Sequence, residues 1–302
     1  MIAKLRQIWA QYDAIIVHMP DPMANLALYF ARPKNKIILY WHSDIVSQKN
    51  LVKLYRPLLN WLVRRADYIL GATPAHIEHS EYKEQFSGKS GILPYFTDIA
   101  DSGLNEQENK QLLTLRGRYR DRKILLYTGR LVHYKNLDML IKVASLLDGR
   151  YVLIIAGEGE RLAHLKALAA ELGLHEDKLI FLGSLSNSEL RVYYSLCDLF
   201  VFPSNKKNEM FGMSMLEAVS FGKPVVSCKV EGSGMDYVNI NNITGIQVSS
   251  ASPHDFADAV KQILDDNELY NTMSANCLKH VKQNFASDAA AEMLTQLITT
   301  KA

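Results

Sequence analysis

The chain has 302 residues, of which 48% are hydrophobic and 22% are charged, proportions that are ordinary for a globular protein. Its 34 Lys and Arg residues almost balance its 32 Asp and Glu residues, and a formal net charge of +2 argues against a nucleic-acid-binding protein. The length is sufficient for two domains rather than one.

Three cysteines are an odd number, and they lie far apart in the sequence. Their spacing indicates neither a disulfide framework nor a metal-binding knuckle, and it favours a reducing, cytoplasmic location. No apolar run approaches the roughly 18 residues needed to cross a bilayer, and the early run at 14–17 is too short for a signal peptide. The cysteines are Cys197, Cys228 and Cys277.

Short apolar runs alternate with helical patterns along the chain. The runs are rich in Val, Ile and Leu without alternating polar residues, which is typical of parallel strands that are buried on both faces. The fold class is therefore predicted to be α/β and doubly wound. Strands are predicted at 14–17, 36–41, 68–71, 91–93, 123–128, 151–156, 179–182, 199–202, 224–228 and 245–248. Helices are predicted, among others, at 136–147, 160–172, 188–196 and 213–221.

A polar stretch at 98–122 predicts a linker between two α/β halves. The predicted domains cover residues 1–100 and 101–285. The first half begins almost directly on a strand, and no glycine-rich turn precedes Ala14. Since a Rossmann-like half usually begins with a strand and such a turn, we expect the N-terminal domain to be truncated at its amino end.

One helical pattern in the first half combines leucines with several basic residues. Such a helix can lie on an anionic membrane surface, which would give the protein a peripheral membrane contact. The alternative is a helix packed into the core with a solvated basic face, and this interpretation is favoured. The basic residues are Lys49, Lys53, Arg56, Arg64 and Arg65, and the apolar residues are Leu51, Leu54, Leu58, Leu59, Trp61 and Leu62.

The segment at 208–217 follows a predicted strand and places Glu209 and Glu217 on either side of the pair Phe211-Gly212. A helix that opens at a glycine after a strand has free backbone N–H groups, and these form an anion site with the helix dipole. Carboxylates beside that anion are explained if they accept hydrogen bonds from hydroxyl groups. A nucleotide-sugar has hydroxyls on both sides of its pyrophosphate and is the predicted ligand. The alternative is a pair of solvated acids at a helix start.

A second cationic loop follows the first strand of the second half, at 128–136. Gly129 allows a tight turn, and Arg130 and Lys135 then lie on the loop that leads into a helix. Two cations at the carboxyl edge of a parallel sheet indicate an anion, and ligands of open α/β sheets bind at that edge. Alone, the loop could equally be a solvated basic turn.

Two further strand ends carry weaker signals. Gly157 and Gly159 form half of a dinucleotide fingerprint, but Leu162 stands where the third glycine would be, so a plain tight turn is at least as good an interpretation. His42 follows another strand beside Asp44, where it could hydrogen-bond a sugar or a developing charge. A lone histidine is more often structural.

Two motifs are absent from the sequence. No Asp-x-Asp pair occurs, so the usual carboxylate clamp for a metal on a sugar nucleotide is missing. No Gly-x-x-x-x-Gly-Lys-[Ser/Thr] loop occurs, which argues against a P-loop NTPase.

Taken together, the motifs resemble those of the glycosyltransferase family 4 type of retaining enzymes, which have the GT-B fold. Segments 41–49 and 66–70 also resemble the acceptor domain of the branch that builds bacterial cell-surface polysaccharides. The motifs are Gly129-Arg130-Leu131-Val132 with Lys135-Asn136, Gly157-Glu158-Gly159, Pro203-Ser204, Glu209-x-Phe211-Gly212-x4-Glu217-Ala218 and Gly222-Lys223-Pro224-Val225-Val226.

The resemblance implies two Rossmann-like domains that face each other across a cleft, with a last helix at 286–302 that crosses back to the first domain. Ser287 is the expected N-cap of that helix. The implied donor is a nucleoside-diphosphate sugar. No cofactor is implied, because Arg130 and Lys135 would hold the diphosphate in place of a metal.

The remaining roles follow from the resemblance in the same way. Glu217 would accept hydrogen bonds from the ribose hydroxyls, Glu209 would contact the donor sugar, and His42 would sit over that sugar near the reacting carbon. The other implied donor-binding residues form the loops and the helix start around the ligand. They are Gly129 and Gly157, then Gly183 and Leu185 near the nucleobase, then Phe211, Gly212, Met213 and Ser214 around the diphosphate.

The predicted activity is sugar transfer, with retention, to a hydroxyl of a lipid-linked or saccharide acceptor. The predicted setting is O-antigen, lipopolysaccharide or capsule assembly at the cytoplasmic face of the membrane. Two alternatives stay open. One is a nucleotide-sugar epimerase of similar architecture, for which only His42 is an obvious acid or base. The other is an inactive, truncated paralogue that only binds nucleotide-sugar.

Overall fold

The computed structural model describes residues 1–45, 49–100, 103–249 and 252–300. Their secondary structure alternates between helices and parallel strands, which confirms the α/β class. The described helices are α1 Ile2–Ile8, α2 Pro22–Ala31, α3 Lys49–Arg65, α4 Pro74–Glu78, α5 Lys83–Phe86, α6 Glu106–Arg118, α7 Leu137–Leu146, α8 Leu162–Glu171, α9 Asn187–Leu196, α10 Met213–Ser220, α11 Met235–Val238, α12 Pro253–Leu264, α13 Asn267–Asn284 and α14 Ser287–Thr299. The strands are β1 Ala14–Met19, β2 Lys36–Trp41, β3 Tyr68–Gly71, β4 Ser90–Ile92, β5 Lys123–Thr128, β6 Tyr151–Ala156, β7 Leu179–Gly183, β8 Leu199–Phe202, β9 Val225–Cys228 and β10 Gly245–Val248.

Each predicted strand and helix is present, with differences confined to element ends. At the start of α7, residues His133–Lys135 form a short 3-10 turn, and the helix begins at Leu137, one residue later than predicted. Asn136 separates the two in a left-handed conformation, with φ of 54°. At the other end of the chain Ser287 is the first residue of α14 and not the residue before it.

The chain divides into two compact units. The first combines Met1–Tyr95 with Ser287–Ala302, and the second is Phe96–Ala286. In the first unit four parallel strands lie in the order β1-β2-β3-β4, so β1 is an edge strand. The ammonium group of Lys36 holds α14 in this unit, because it donates to the carbonyls of Leu297, at 2.7 Å, and Ile298, at 3.3 Å, and so satisfies carbonyls in the last turn of the helix.

The core of the first unit lies where the sheet meets α2 and α3. Each aliphatic side chain removed from water there contributes about 1.5–3 kcal/mol. The core residues are Val17, Met19, Leu28, Ile37, Leu39, Trp41, Leu59, Leu62, Val63, Ala66, Ile69, Tyr82 and Phe86.

Helix α3 carries the leucines and basic residues that the sequence groups together. Leu59 and Leu62 are buried in the core, so this part of the helix packs as the core-packed interpretation expects. Leu54 lies outside that core with 83% of its surface exposed, and its neighbours Lys53 and Arg56 are exposed as well. The side chains of Lys49 and Leu51 and the motif residues 46–48 lie outside the described part of the chain.

The second unit is a six-stranded parallel sheet in the order β10-β9-β8-β5-β6-β7. All six residues of β6 are buried, because helices cover both faces of the central strands. The cysteines Cys197, Cys228 and Cys277 are all buried in this unit without a disulfide. Burial raises the pKa of each thiol to about 12, so the three behave as apolar packing residues.

The expectation of a polar linker at 98–122 is wrong, because α6 occupies most of it. The side chain of Asn105 accepts from the N–H of Glu108 at 2.9 Å, and the Glu108 carboxylate accepts from the N–H of Asn105 at 2.7 Å. This capping box starts the helix. Glu108 is buried, and Arg191 of α9 lies 3.2 Å from its other oxygen. The polar composition reflects the outer face of a packed helix; residues 101–102 of the stretch lie outside the described chain.

Replacing Glu108 with alanine should lower the free energy of unfolding by about 2–3 kcal/mol. The change removes half of the capping box and leaves the Arg191 guanidinium buried against α6 without this carboxylate. Glu106→Ala is the matched control, since Glu106 is an exposed residue in the same first turn and should cost at most about 0.5 kcal/mol. Urea unfolding followed by circular dichroism measures both. Equal stabilities of the two variants would show that the buried pair does not hold α6.

Candidate functional site

The strand order of the second unit reverses direction at β5. From β5 the chain builds outwards through β6 and β7, then returns to the other side of β5 with β8 and continues through β9 and β10. The loops after β5 and β8 therefore leave the sheet in opposite directions and open a crevice at its carboxyl edge. In open α/β sheets this switch point is where ligands bind.

The loop after β5 carries the two predicted cations in different environments. Arg130 is exposed, and its guanidinium donates to the hydroxyl of Tyr134 at 3.0 Å. Lys135 is buried, with 8% of its surface exposed. The side-chain amide of Asn136 donates to the carbonyl of Pro203 at 3.3 Å, so the loop after β5 is tied to the end of β8.

Lys135 and Glu209 form a buried ion pair between the two loops. The Lys135 ammonium donates to Oε2 of Glu209, and only 11% of each side chain is exposed. The same ammonium lies 4.8 Å from the centre of the Phe202 ring, within the range of a cation–π contact. Burying a lone charge is costly, and here the two opposite charges are buried together. The structure therefore joins two residues that the sequence places in one site but on separate loops.

Two buried serines donate hydrogen bonds to Glu209. Ser204 is fully buried, and its hydroxyl donates to Oε2 of Glu209 at 3.3 Å. Ser233 is also buried, and its hydroxyl donates to the backbone carbonyl of Glu209 at 2.6 Å. These contacts fix the carboxylate and the loop. Ser204 directly follows Pro203 at the end of β8. Ser233 lies after β9, outside the 203–217 segment, so the motif does not predict its contact with Glu209.

Gly212 is the residue directly before helix α10, at the carboxyl edge of the sheet. Gly212 has φ of 87°, and a Cβ there would lie 2.6 Å from the terminal methyl of Met215 and 3.4 Å from the Phe202 ring. The Met215 methyl could move aside, but the positive φ strains any residue other than glycine. Because Gly212 has no side chain to cap the helix, the N–H groups of the first turn receive no capping oxygen from it. Phe211 is buried before this turn, whereas Met213 is 40% exposed within it.

Glu217 lies one turn further along α10 and has its own partner. The hydroxyl of Tyr194, on α9, donates to Oε2 of Glu217 at 2.6 Å and lies 2.6 Å from Oγ1 of Thr128 at the end of β5. Burial raises the pKa of Glu217, and the hydrogen bond from Tyr194 opposes that effect. Burial, followed by the charge of Glu217, raises the pKa of Tyr194 well above its usual value, so the phenol remains a hydrogen-bond donor.

Gly129 after β5, Gly157 after β6 and Gly183 at the end of β7 lie backbone against backbone. Gly157 has φ of 141°, and a Cβ there would lie 1.9 Å from the carbonyl oxygen of Gly129. The N–H of Gly157 donates to the carbonyl of Gly183 at 2.6 Å. Three of the predicted donor-binding glycines are therefore adjacent at one edge of the sheet. Leu185 follows them in the loop after β7 and is half-buried.

His42 lies in the first unit, at the carboxyl end of β2. Its backbone N–H extends the ladder to the carbonyl of Met19 on β1 at 3.0 Å, which brings its ring beside that of His18. Nδ1 of His18 and Nε2 of His42 are 2.8 Å apart, and the rings stack with an interplanar angle of 11°. Nδ1 of His42 hydrogen-bonds the hydroxyl of Tyr95. Burial, followed by the charge of His18, lowers the pKa of His42.

His42 is thus part of a cluster and is not a lone histidine. The sequence contains a signal for His18: it lies near the end of β1, His42 directly follows β2, and the ends of neighbouring parallel strands meet. Among residues 1–45, 49–100, 103–249 and 252–300, no three His, Cys, Asp or Glu side chains are grouped as a metal site would require. None of the described helices combines the length and apolar character of a membrane span.

Comparison with known sequences gives the chain its family. The profile of the family described as "Glycosyl transferases group 1" matches residues 115–280. The O-antigen chain mannosyltransferase C of Escherichia coli is 26% identical over 99% of this chain and 78% of its own length. The D-rhamnosyltransferase WbpZ of Pseudomonas aeruginosa is 30% identical over 94% of this chain and 72% of its own length.

Solved structures share the fold. HepE of Anabaena in complex with UDP superimposes with a TM-score of 0.84, at 19% identity, over 99% of this chain and 81% of HepE. Sucrose-phosphate synthase of Thermosynechococcus elongatus gives a TM-score of 0.76, at 21% identity, over 98% of this chain and 77% of that protein. This agreement confirms the prediction of a GT-B fold with two parallel-sheet, Rossmann-like units. With the family match over more than half of its length, the chain belongs to the glycosyl transferases group 1 family.

Proposed function

We propose that the protein is a retaining, hexosyltransferase-type enzyme that moves a sugar from a nucleoside diphosphate to an acceptor hydroxyl. The observation that carries this proposal is the crevice between the loops after β5 and β8. Lys135, the carboxylates of Glu209 and Glu217, and the amino end of α10 all lie at this edge of the sheet. An anion with hydroxyl groups on both sides is the ligand that this combination suits.

The diphosphate would be bound by Arg130, Lys135 and the N–H groups from Phe211 to Ser214. Arg130 is exposed at the rim of its loop, so its charge can reach an incoming anion. Lys135 is already oriented by Glu209, so no reorganisation of a flexible side chain is needed when the ligand arrives. In this proposal the two cations take the role that a metal has in other sugar-nucleotide enzymes, and the donor site requires no metal.

The two carboxylates would bind the sugars on either side of the diphosphate. Glu217 is half-buried and would accept from ribose hydroxyls, while Glu209 would contact the transferred sugar. Gly129 and Gly157 allow close backbone approach to the ligand. Gly183 and Leu185 would lie along the nucleobase.

The reaction would break the bond between the anomeric carbon and the diphosphate oxygen and form a bond from that carbon to the acceptor oxygen, on the same face of the sugar. The acceptor proton would pass to the departing diphosphate. Charge that develops on the leaving oxygen would be stabilised by Arg130 and Lys135, and such electrostatic terms are usually the largest in catalysis. His42, whose lowered pKa favours a neutral ring, would contact the sugar near the reacting carbon.

The proposed setting is the assembly of a bacterial surface polysaccharide at the cytoplasmic face of the membrane, with a lipid-linked or saccharide acceptor. The names of two relatives support it: one is an O-antigen chain mannosyltransferase and the other a D-rhamnosyltransferase. A third relative, WbdA of Escherichia coli, is described as a serotype-specific mannosyltransferase. HepE was solved with UDP-glucose, which supports a nucleotide-sugar donor.

A thermal-shift panel with UDP, GDP, dTDP and ADP tests the donor site. One base should raise the melting temperature, because a ligand at a hundred times its Kd adds about 2.7 kcal/mol of stability. For a domain of this size that corresponds to roughly 5–10 °C. EDTA should not change the shift if the cations replace a metal. A cooperative melt that no nucleotide moves would reject the proposed donor site, and a shift abolished by EDTA would reject metal independence.

The role of Glu209 is tested by comparing nucleotide with nucleotide-sugar. Glu209→Gln keeps the side-chain volume and should leave the affinity for UDP or GDP unchanged or higher, because the Lys135 charge is no longer paired. The affinity for the corresponding nucleotide-sugar should fall roughly tenfold, the value of one hydrogen bond to a charged group. Isothermal titration calorimetry measures both ligands.

Glu171→Gln is the control for that experiment, since Glu171 is an exposed acid at the end of α8. It should bind both ligands like the parent protein. If Glu209→Gln weakened nucleotide and nucleotide-sugar by the same factor, Glu209 would not be a sugar contact.

Peripheral membrane contact is proposed through the exposed side of α3. Exposed Leu54 lies beside the exposed cations Lys53 and Arg56, and each cation near an anionic surface contributes about 1 kcal/mol. The protein should sediment with phosphatidylglycerol vesicles and less with phosphatidylcholine vesicles. Leu54→Ser should reduce the bound fraction, whereas Leu113→Ser, at a 68% exposed leucine of α6, should not. Equal binding of all three proteins would remove α3 from the contact.

A further inference from the structure

The hydroxyl of Tyr194 links the end of β5 to the ribose-side carboxylate. It lies 2.6 Å from Oγ1 of Thr128 and 2.6 Å from Oε2 of Glu217. Thr128 and Tyr194 are both buried, with 4% and 0% of their surfaces exposed, so the bond between them forms away from water, whereas the bond to Glu217 is partly buried. The three residues come from β5, α9 and α10 and meet beside the switch point.

The direction of this chain of hydrogen bonds follows from the number of protons. An ionised carboxylate can only accept, and a phenol has one proton to donate. Tyr194 therefore donates to Glu217, and Thr128 donates to Tyr194. Hydrogen bonds aligned in this way strengthen one another. Oε2 of Glu217 therefore accepts from the Tyr194 hydroxyl, which in turn accepts from Thr128.

The position of the Tyr194 hydroxyl is fixed by its ring. The ring stacks on Phe221 with centroids 5.6 Å apart and contacts Phe200 at 5.9 Å. The Glu217 side chain reaches this fixed donor from α10 with one oxygen. Among the residues that the structure describes, its second oxygen, Oε1, has no hydrogen-bond donor, and the side chain is only half-buried. One oxygen is thus anchored, and the other is available to a ligand.

We propose that Tyr194 is a positioning residue that sets the preference of the site for ribose. It anchors Oε2 of Glu217, so that Oε1 is presented to the ribose hydroxyls of the nucleotide. This inference rests on the proposed function, in which Glu217 binds those hydroxyls. Without the anchor the carboxylate can rotate among its rotamers, and the hydrogen bonds to ribose lose their orientation.

The test compares each nucleotide with an analogue that lacks the hydroxyls. Kd is measured by calorimetry for UDP and GDP and for their 2′,3′-dideoxy forms. The ribose preference is the Kd of the dideoxy form divided by the Kd of the ribonucleotide, for whichever of UDP and GDP binds more tightly. In the parent protein the ribonucleotide should bind at least about tenfold more tightly. Glu217→Gln and Tyr194→Phe should each reduce this ratio at least about fivefold, with little change for the dideoxy nucleotide.

Tyr193→Phe is the matched control, because it makes the same substitution at the preceding, buried residue of α9. It should keep the parent ratio. A general loss of packing would weaken both nucleotides together, so the ratio separates positioning from stability. The affinity for the dideoxy nucleotide also shows that the variant is folded.

The outcomes separate the two proposals. If Glu217→Gln abolishes the preference and Tyr194→Phe retains it, Tyr194 does not position Glu217, while the donor site stands. If the parent protein binds both forms equally, Glu217 has no role in ribose binding, and this inference falls with it. Should Tyr194→Phe fail to fold, Thr128→Val removes the donor that directs the phenol proton. Its ratio should fall to a smaller extent, and an unchanged ratio would overturn the inference.

Discussion

The reversal of strand order at β5 is the constraint on which the second unit depends. Because β6 and β8 flank β5 and are reached in opposite directions, the loops after β5 and β8 diverge at the carboxyl end of the sheet. The residues of the candidate site lie around the point where these two loops diverge. Residues that are 74 positions apart in the chain, Lys135 and Glu209, become neighbours there, and α10 starts there because Gly212 permits the turn.

The buried pair of Lys135 and Glu209 has a cost as well as a benefit. Removing two charges from water is unfavourable, and an apolar pair of the same volume would often be at least as stable. The buried pair is explained if its charges contribute to ligand binding rather than to the stability of the fold. The serines behind Glu209 and the ring of Phe202 beside Lys135 hold both charges in place before anything binds. Such preorganisation reduces the rearrangement that binding would otherwise require.

The sequence predicts the strands well, because buried parallel strands leave continuous apolar runs, and it identifies the loops that carry Arg130 and Glu209 and the helix that carries Glu217. Prediction from the sequence fails where a residue's structure or role depends on a partner that is distant in the chain. The polar composition around α6 indicated a linker, although a buried pair with Arg191 makes it a packed helix. Tyr194 resembles any core tyrosine of an amphipathic helix, and only the meeting of α9 with β5 and α10 gives its hydroxyl polar partners on both. The bond between His18 and His42 likewise needs the register of β1 on β2.

Helix α9 contributes to two places at once. Arg191 pairs with Glu108 on α6, and Tyr194, three positions later and so on nearly the same side of the helix, holds Glu217. Any movement that separates α6 from α9 therefore disturbs the carboxylate in the crevice. By thermodynamic reciprocity, a ligand that requires Glu217 in place also opposes the fraying of α6. If the crevice binds a nucleotide as proposed, the amide protons of α6 should exchange with solvent more slowly in the complex, although no atom of that helix is needed to touch the ligand.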